Sequence, residues 1–111
     1  MSVITLTDKP THDAAVAKAD SGTPTVIYVS FAPSPVCQTF TPQYYQAANQ
    51  MNGISFCRME YDKETSPMLK FGPQHAPIIV MMKGNKCRTL LQPSMTETKN
   101  ALKTFLESPS A

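Results

Sequence analysis

Residues 26–32, Val-Ile-Tyr-Val-Ser-Phe-Ala, form an almost unbroken apolar run set between turn signals. The run lacks the alternation of a strand with one wet face. It reads as a central strand buried on both sides. Such a strand needs helices above and below its sheet, and the flanking sequence supplies them. Residues 11–20 read as a helix containing Ala14, Ala15, Val16 and Ala17, with Thr11 as its N-cap after Pro10. Ser21-Gly22-Thr23-Pro24 stops it. Ser34 at an N-cap and Pro35 at the first helical position open a second helix, because the missing Pro N–H would be orphaned there in any case. That helix runs to about residue 52, ends at Gly53, and carries Pro42 inside it, which predicts a kink.

The remaining elements follow the same alternation. Val3-Ile4-Thr5-Leu6 is a short strand and residues 54–61 are another. Residues 63–71 read as a shorter helix ended by Gly72-Pro73. Strands at 77–83 and 87–91 are joined by the two-residue turn Gly84-Asn85. Ser94-Met95-Thr96-Glu97 is a capping box. It starts a last helix with Met95, Leu102, Phe105 and Leu106 on one face, followed by a tail at 108–111. The order β-α-β-α-β-α-β-β-α predicts parallel strands closed by an antiparallel hairpin. The expected class is α/β, one mixed sheet with helices on both faces. A chain of 111 residues has room for one domain, spanning 1–111.

Several function classes are argued against. The net charge is only +2 and no Lys/Arg cluster accompanies it, so no nucleic-acid partner is expected. Three cysteines do not make a disulfide scaffold, and no CxxC or CxxH spacing exists to hold zinc. No metal and no cofactor are therefore expected. The longest apolar stretch, 76–82, is far short of a membrane span, and residues 1–8 lack a basic, apolar leader. A cytoplasmic protein with reduced thiols is the expectation.

Five features together resemble the thioredoxin family over about residues 3–107. Ile4-Thr5-Leu6-Thr7-Asp8 is similar to the family's opening, and residues 26–32 stand where its strand before the active site stands. Cys37 followed five residues later by Pro42 is similar to the second active-site cysteine and the helix-kinking proline. Asp62 ends the third strand as in the family, and Ala76-Pro77 resembles its cis-proline dipeptide. The resemblance implies a thioredoxin fold, a five-stranded mixed sheet flanked by four helices. It also implies that extended protein or peptide binds along the cis-proline groove, through the backbone of Ala76. The rim of that groove would be Phe31, Pro33, Pro35, Val36, His75 and Gln92-Pro93.

The departures bear on chemistry. Where the family has Trp-Cys-Gly-Pro-Cys, this chain has Pro33-Ser34-Pro35-Val36-Cys37, and it contains no Trp. The family's buried acid falls at Val29, its lysine at Arg58, and its glycine after the fifth strand near Gln92-Pro93. Dithiol exchange needs an exposed thiolate that attacks and a second thiol that resolves. A serine hydroxyl at position 34 does neither. Cys37 lies in the first helical turn, where the macrodipole favours a thiolate and burial favours the thiol; burial is expected to prevail. Two functional readings stand at this point. One is a binding or regulatory module without dithiol activity. The other is a monothiol or atypical oxidoreductase using Cys37, or a Cys-to-Ser variant of an active thioredoxin. His75 is a base for Cys37 or a solvated loop histidine. Cys57 reads as core, Cys87 as a free thiol on an edge strand, and Arg58 as a partner for Glu60.

Overall fold

All six residues of the strand Thr25–Ser30 are buried, the two-sided burial its composition demands. In the computed structural model, which describes residues 3–69 and 71–107, this strand is the centre of a five-stranded sheet. The elements are β1 (Ile4–Leu6), α1 (Lys9–Asp20), β2 (Thr25–Ser30), α2 (Pro35–Gln50), β3 (Ser55–Glu60), β4 (Ile78–Lys83), β5 (Lys86–Leu91) and α3 (Met95–Glu107). The spatial order is β1-β3-β2-β4-β5. β1 and β2 pair with β3 in parallel, and β4 pairs antiparallel with both β2 and β5.

Successive side chains of β2 enter different cores, as the two-residue period of a strand requires. Val26 and Tyr28 face α2 and α3, where they pack with Phe40, Tyr44, Leu102 and Phe105. Ile27 and Val29 face α1 and pack with Leu6, Ala15, Cys57 and Ile78. Tyr28 and Tyr44 meet at a ring-centroid distance of 4.9 Å, and the Tyr44 hydroxyl donates to the Cys57 carbonyl at 2.7 Å. A buried phenol is thereby satisfied rather than orphaned. The chain turns from β4 into β5 through Gly84, whose φ of +59° is the left-handed geometry that a two-residue hairpin demands. Ser94 starts α3, its Oγ accepting the Glu97 N–H at 3.0 Å.

Two expectations are corrected. Among the described residues three α-helices flank the sheet, not four. The predicted helix at 63–71 is replaced by a 3₁₀ turn at Ser66–Met68, with a second 3₁₀ turn at Pro73–His75. Local bonds explain this. Asp62 Oδ1 accepts the N–H groups of Glu64 and Thr65, and Thr65 Oγ1 donates to the Glu60 carbonyl at 2.6 Å. These side-chain bonds close a turn in place of helical ones, and Pro67 has no N–H with which to propagate a helix. The second correction concerns α1, whose N-cap is Asp8. Thr11 is the third helical residue of a reciprocal capping box, its N–H donating to Asp8 Oδ1 at 3.0 Å and its Oγ1 accepting the Asp8 N–H at 3.1 Å. Pro10 sits inside the first turn, where its missing N–H costs nothing. The tail expected at 108–111 lies outside the described residues.

Candidate functional site

Strand register decides which loops meet. Val29 of β2 faces Ile78 of β4, and Ile78 faces Leu91 of β5. The Gln92 N–H donates to the Pro77 carbonyl at 2.8 Å. The chain leaving β2, the chain entering β4 and the chain leaving β5 therefore lie at one end of the sheet. That end carries Pro33 and Ser34, then Ala76 and Pro77, then Gln92 and Pro93.

α2 begins there. Ser34 is its N-cap, with Oγ accepting the Cys37 N–H at 3.4 Å, and Pro35 holds the first helical position. Cys37 follows in the first turn and is 2% exposed. Pro33, Pro35 and Val36 are exposed around it. Pro35 and Val36 join Phe40, Pro93 and Met95 along an apolar cleft of about 430 Å³. The Ala76–Pro77 peptide bond is cis, and both residues are buried. His75 stands before them with its ring edge-on to Phe71 at 5.9 Å. Its Nδ1 is buried and has no hydrogen-bond partner among the described residues, so this nitrogen makes no bond to Cys37.

Beneath Cys37 lies a polar seat. Thr41 Oγ1 donates to the Cys37 carbonyl at 2.8 Å, and the Tyr28 hydroxyl bonds Thr41 Oγ1 at 2.9 Å. Burial pushes the Tyr28 phenol well above the ordinary tyrosine range. Beside it, a chain of charged groups closes the end of β2. Glu60 accepts from Ser30 Oγ at 2.7 Å and from the Ala32 N–H. Arg58 Nε donates to Ser30 Oγ at 3.0 Å, Nη1 donates to the Tyr45 hydroxyl at 3.2 Å, and Nη2 lies 3.6 Å from Glu60. Burial opposes the Arg58 charge, but Tyr45 first, then Tyr28 and Glu60, outweigh it and raise its pKa. A cleft of about 290 Å³ runs between Arg58, Ser30, Thr41 and Cys37.

The expected pairing of Arg58 with Glu60 is present, but sequence reasoning missed Ser30 and Ala32 as its other partners. The legible signal was an Arg and a Glu two apart on one face of a strand next to the end of β2. Val29, where the family's acid would fall, is 1% exposed among apolar side chains. Gln92 takes a φ of +51°, the left-handed region that favours glycine.

All three cysteines are free thiols. Cys57 lies mid-strand on the α1 side of the sheet. Cys87 is exposed and pairs with Met82, at the end of β5 remote from Ser34. β2 and β4 separate their strands, which rules out a bridge between them. Among the described residues no group of three or more His, Cys, Asp or Glu could hold a metal ion. No helix among them is long and apolar enough to cross a membrane.

Comparison with known structures places this geometry. Thioredoxin O1 from Arabidopsis thaliana, in its oxidized state, superposes with a TM-score of 0.82 at 18% identity, covering 94% of this chain and 97% of that one. Thioredoxin f from spinach chloroplast gives 0.78 at 16% identity over 93% and 85% of the two chains. A chain from the complex of ferredoxin:thioredoxin reductase with thioredoxin f2 gives 0.81 at 14% identity over 95% and 96%. No curated protein sequence gives a significant match. The thioredoxin family model matches residues 2–108, almost the entire length, and on that evidence the chain belongs to the thioredoxin family.

Proposed function

We propose that this chain is a thioredoxin-like binding or regulatory module that does not carry out dithiol–disulfide exchange. One observation carries the reading. The helix start where the family pattern has its first cysteine is capped by Ser34, and among the described residues Cys37 is the one thiol at that end of the sheet. Exchange with a substrate disulfide needs a thiolate to form the mixed disulfide and a second thiol to release it. Ser34 forms no bond to sulfur, and Cys37 has no partner. What persists is a surface. The exposed Pro33, Pro35 and Val36 and the cleft shared with Pro93 lie at the same end of the sheet as Ala76-Pro77, which supports binding of an extended protein segment there. His75 stands at the rim of that surface. The free thiols fit a reducing compartment such as the cytoplasm.

A second reading rests on the cleft that reaches Cys37 past Arg58. It makes Cys37 a monothiol that forms mixed disulfides resolved by an external thiol. Insulin reduction in dithiothreitol separates the readings. The wild type is expected to match dithiothreitol alone, and Ser34→Cys to accelerate precipitation. A wild type as fast as Ser34→Cys overturns the proposal. If Cys37→Ala then abolishes that activity, the monothiol reading stands in its place.

A further inference from the structure

α1 is rich in alanine: Ala15 is buried against the sheet where β1 and β3 run side by side, and the exposed Ala14 lines the rim of the space between them. Methyl groups at these positions do not fill the space between helix and sheet. A hollow of about 420 Å³ remains, within the roughly 300–1,000 Å³ typical of small-molecule sites. Register defines its floor. Ile4 pairs with Cys57 and Leu6 with Met59, so Ile4, Leu6, Ser55 and Cys57 share the face under α1. Leu6 and Cys57 are almost fully buried, while Ile4, on the three-residue edge strand, is 41% exposed at the rim. Thr11 lines the hollow near the start of α1, its hydroxyl engaged in the Asp8 cap, and the one charged group lies toward the other end. Lys18, one turn beyond Ala14, lines the hollow at the end marked by Ser55, and its charge reaches Cys57. Among the described residues the Lys18 ammonium has no carboxylate partner. The hollow is thus an apolar trough with a single cation at one end.

We propose that this trough binds a small aliphatic carboxylate, its chain over Leu6, Ala15 and Cys57 and its carboxylate on Lys18. Apolar burial supplies most of the affinity, and the exposed ammonium supplies orientation and preference for the anion. The trough lies on the α1 side of the sheet, so the inference does not depend on the proposed role of Ser34 and Cys37.

Titration of the ¹⁵N-labelled full chain with octanoate, and separately with 1-octanol, tests it. Saturable shifts are expected at the amides of Ile4, Leu6, Ala15 and Cys57 for both probes. Lys18→Gln is expected to weaken octanoate by about threefold and to leave 1-octanol unchanged. Ala14→Leu, which fills the mouth from an exposed helical position, is expected to remove binding of both. Remote amide dispersion verifies that each variant is folded. The proposal is overturned if octanoate produces no saturable shifts at these amides, or if Lys18→Gln leaves the octanoate affinity unchanged. Equal weakening of both probes by that variant overturns the carboxylate assignment as well.

Discussion

Replacing Glu60 by Ala tests whether the charged cluster behind the site holds the loop onto the sheet. Glu60 accepts from Ser30 Oγ at 2.7 Å, and Ser30 is 1% exposed. A hydrogen bond to a charged group contributes about 1.5 kcal/mol or somewhat more. The bond from the Ala32 N–H lies at exposed backbone that water re-solvates, so it is discounted to about 0.5 kcal/mol. The Arg58 contact at 3.6 Å, on side chains about a third exposed, adds at most about 0.5 kcal/mol. The expected loss is about 2–2.5 kcal/mol, or roughly 10 °C in melting temperature for a domain of this size. With no tryptophan in the chain, urea unfolding is best followed by far-ultraviolet circular dichroism. A double-mutant cycle with Ser30→Ala isolates the buried bond, and a coupling of about 1–1.5 kcal/mol is expected. A coupling within about 0.3 kcal/mol of zero would refute the reasoning, because the buried hydroxyl would then gain nothing from the carboxylate.

Three other outcomes are expected. Burial raises the pKa values of the Cys57 thiol and of the Tyr28 and Tyr44 phenols. Both states hold these protons at neutral pH, but above about pH 9 the unfolded chain alone releases them, so stability is full below that value and declines as pH rises. Urea midpoints from about pH 7 to 11 should show this fall, and Tyr44→Phe should make it shallower. Gln92→Val should cost about 1–2 kcal/mol in urea unfolding, because a β-branched side chain resists the φ of +51°, whereas Gln92→Asn should be nearly neutral. Under native conditions iodoacetamide should label Cys87 first, with Cys37 and Cys57 reacting only as denaturant is added, read site by site by mass spectrometry. Rapid native labelling of Cys37 would contradict its burial.

The strands were legible because hydrophobic period and turn residues agreed. The 26–32 run and the Gly84-Asn85 turn each pointed to one structure. The helix at 63–71 was misread because periodicity does not register Asp62 and Thr65 bonding the backbone before a helix can start. Asp8 was overlooked as a cap because Pro10 marked a boundary that lies inside the helix. At the start of α2, Ser34 and Pro35 were readable from local cap chemistry, whereas Cys37 was singled out by the resemblance to the family. The clamp of Glu60 on Ser30 and Ala32 joins residues about thirty positions apart, and only the parallel register of β2 and β3 brings them together. No local pattern encodes the left-handed Gln92 either; its N–H is tied across the sheet end to the Pro77 carbonyl, a contact that joins residues distant in sequence.

The cap of α2 has a consequence for which residue position 34 favours. Serine is among the best residues at a helix N-cap, because its hydroxyl accepts an orphan N–H, and a thiol is a weak acceptor. The position that would bear an attacking thiol is therefore also one where a thiol weakens the helix. Reactivity and stability compete for a single side chain. Placing a thiol at position 34 therefore has to overcome the lost cap, which at 3.4 Å is worth at most about 1 kcal/mol.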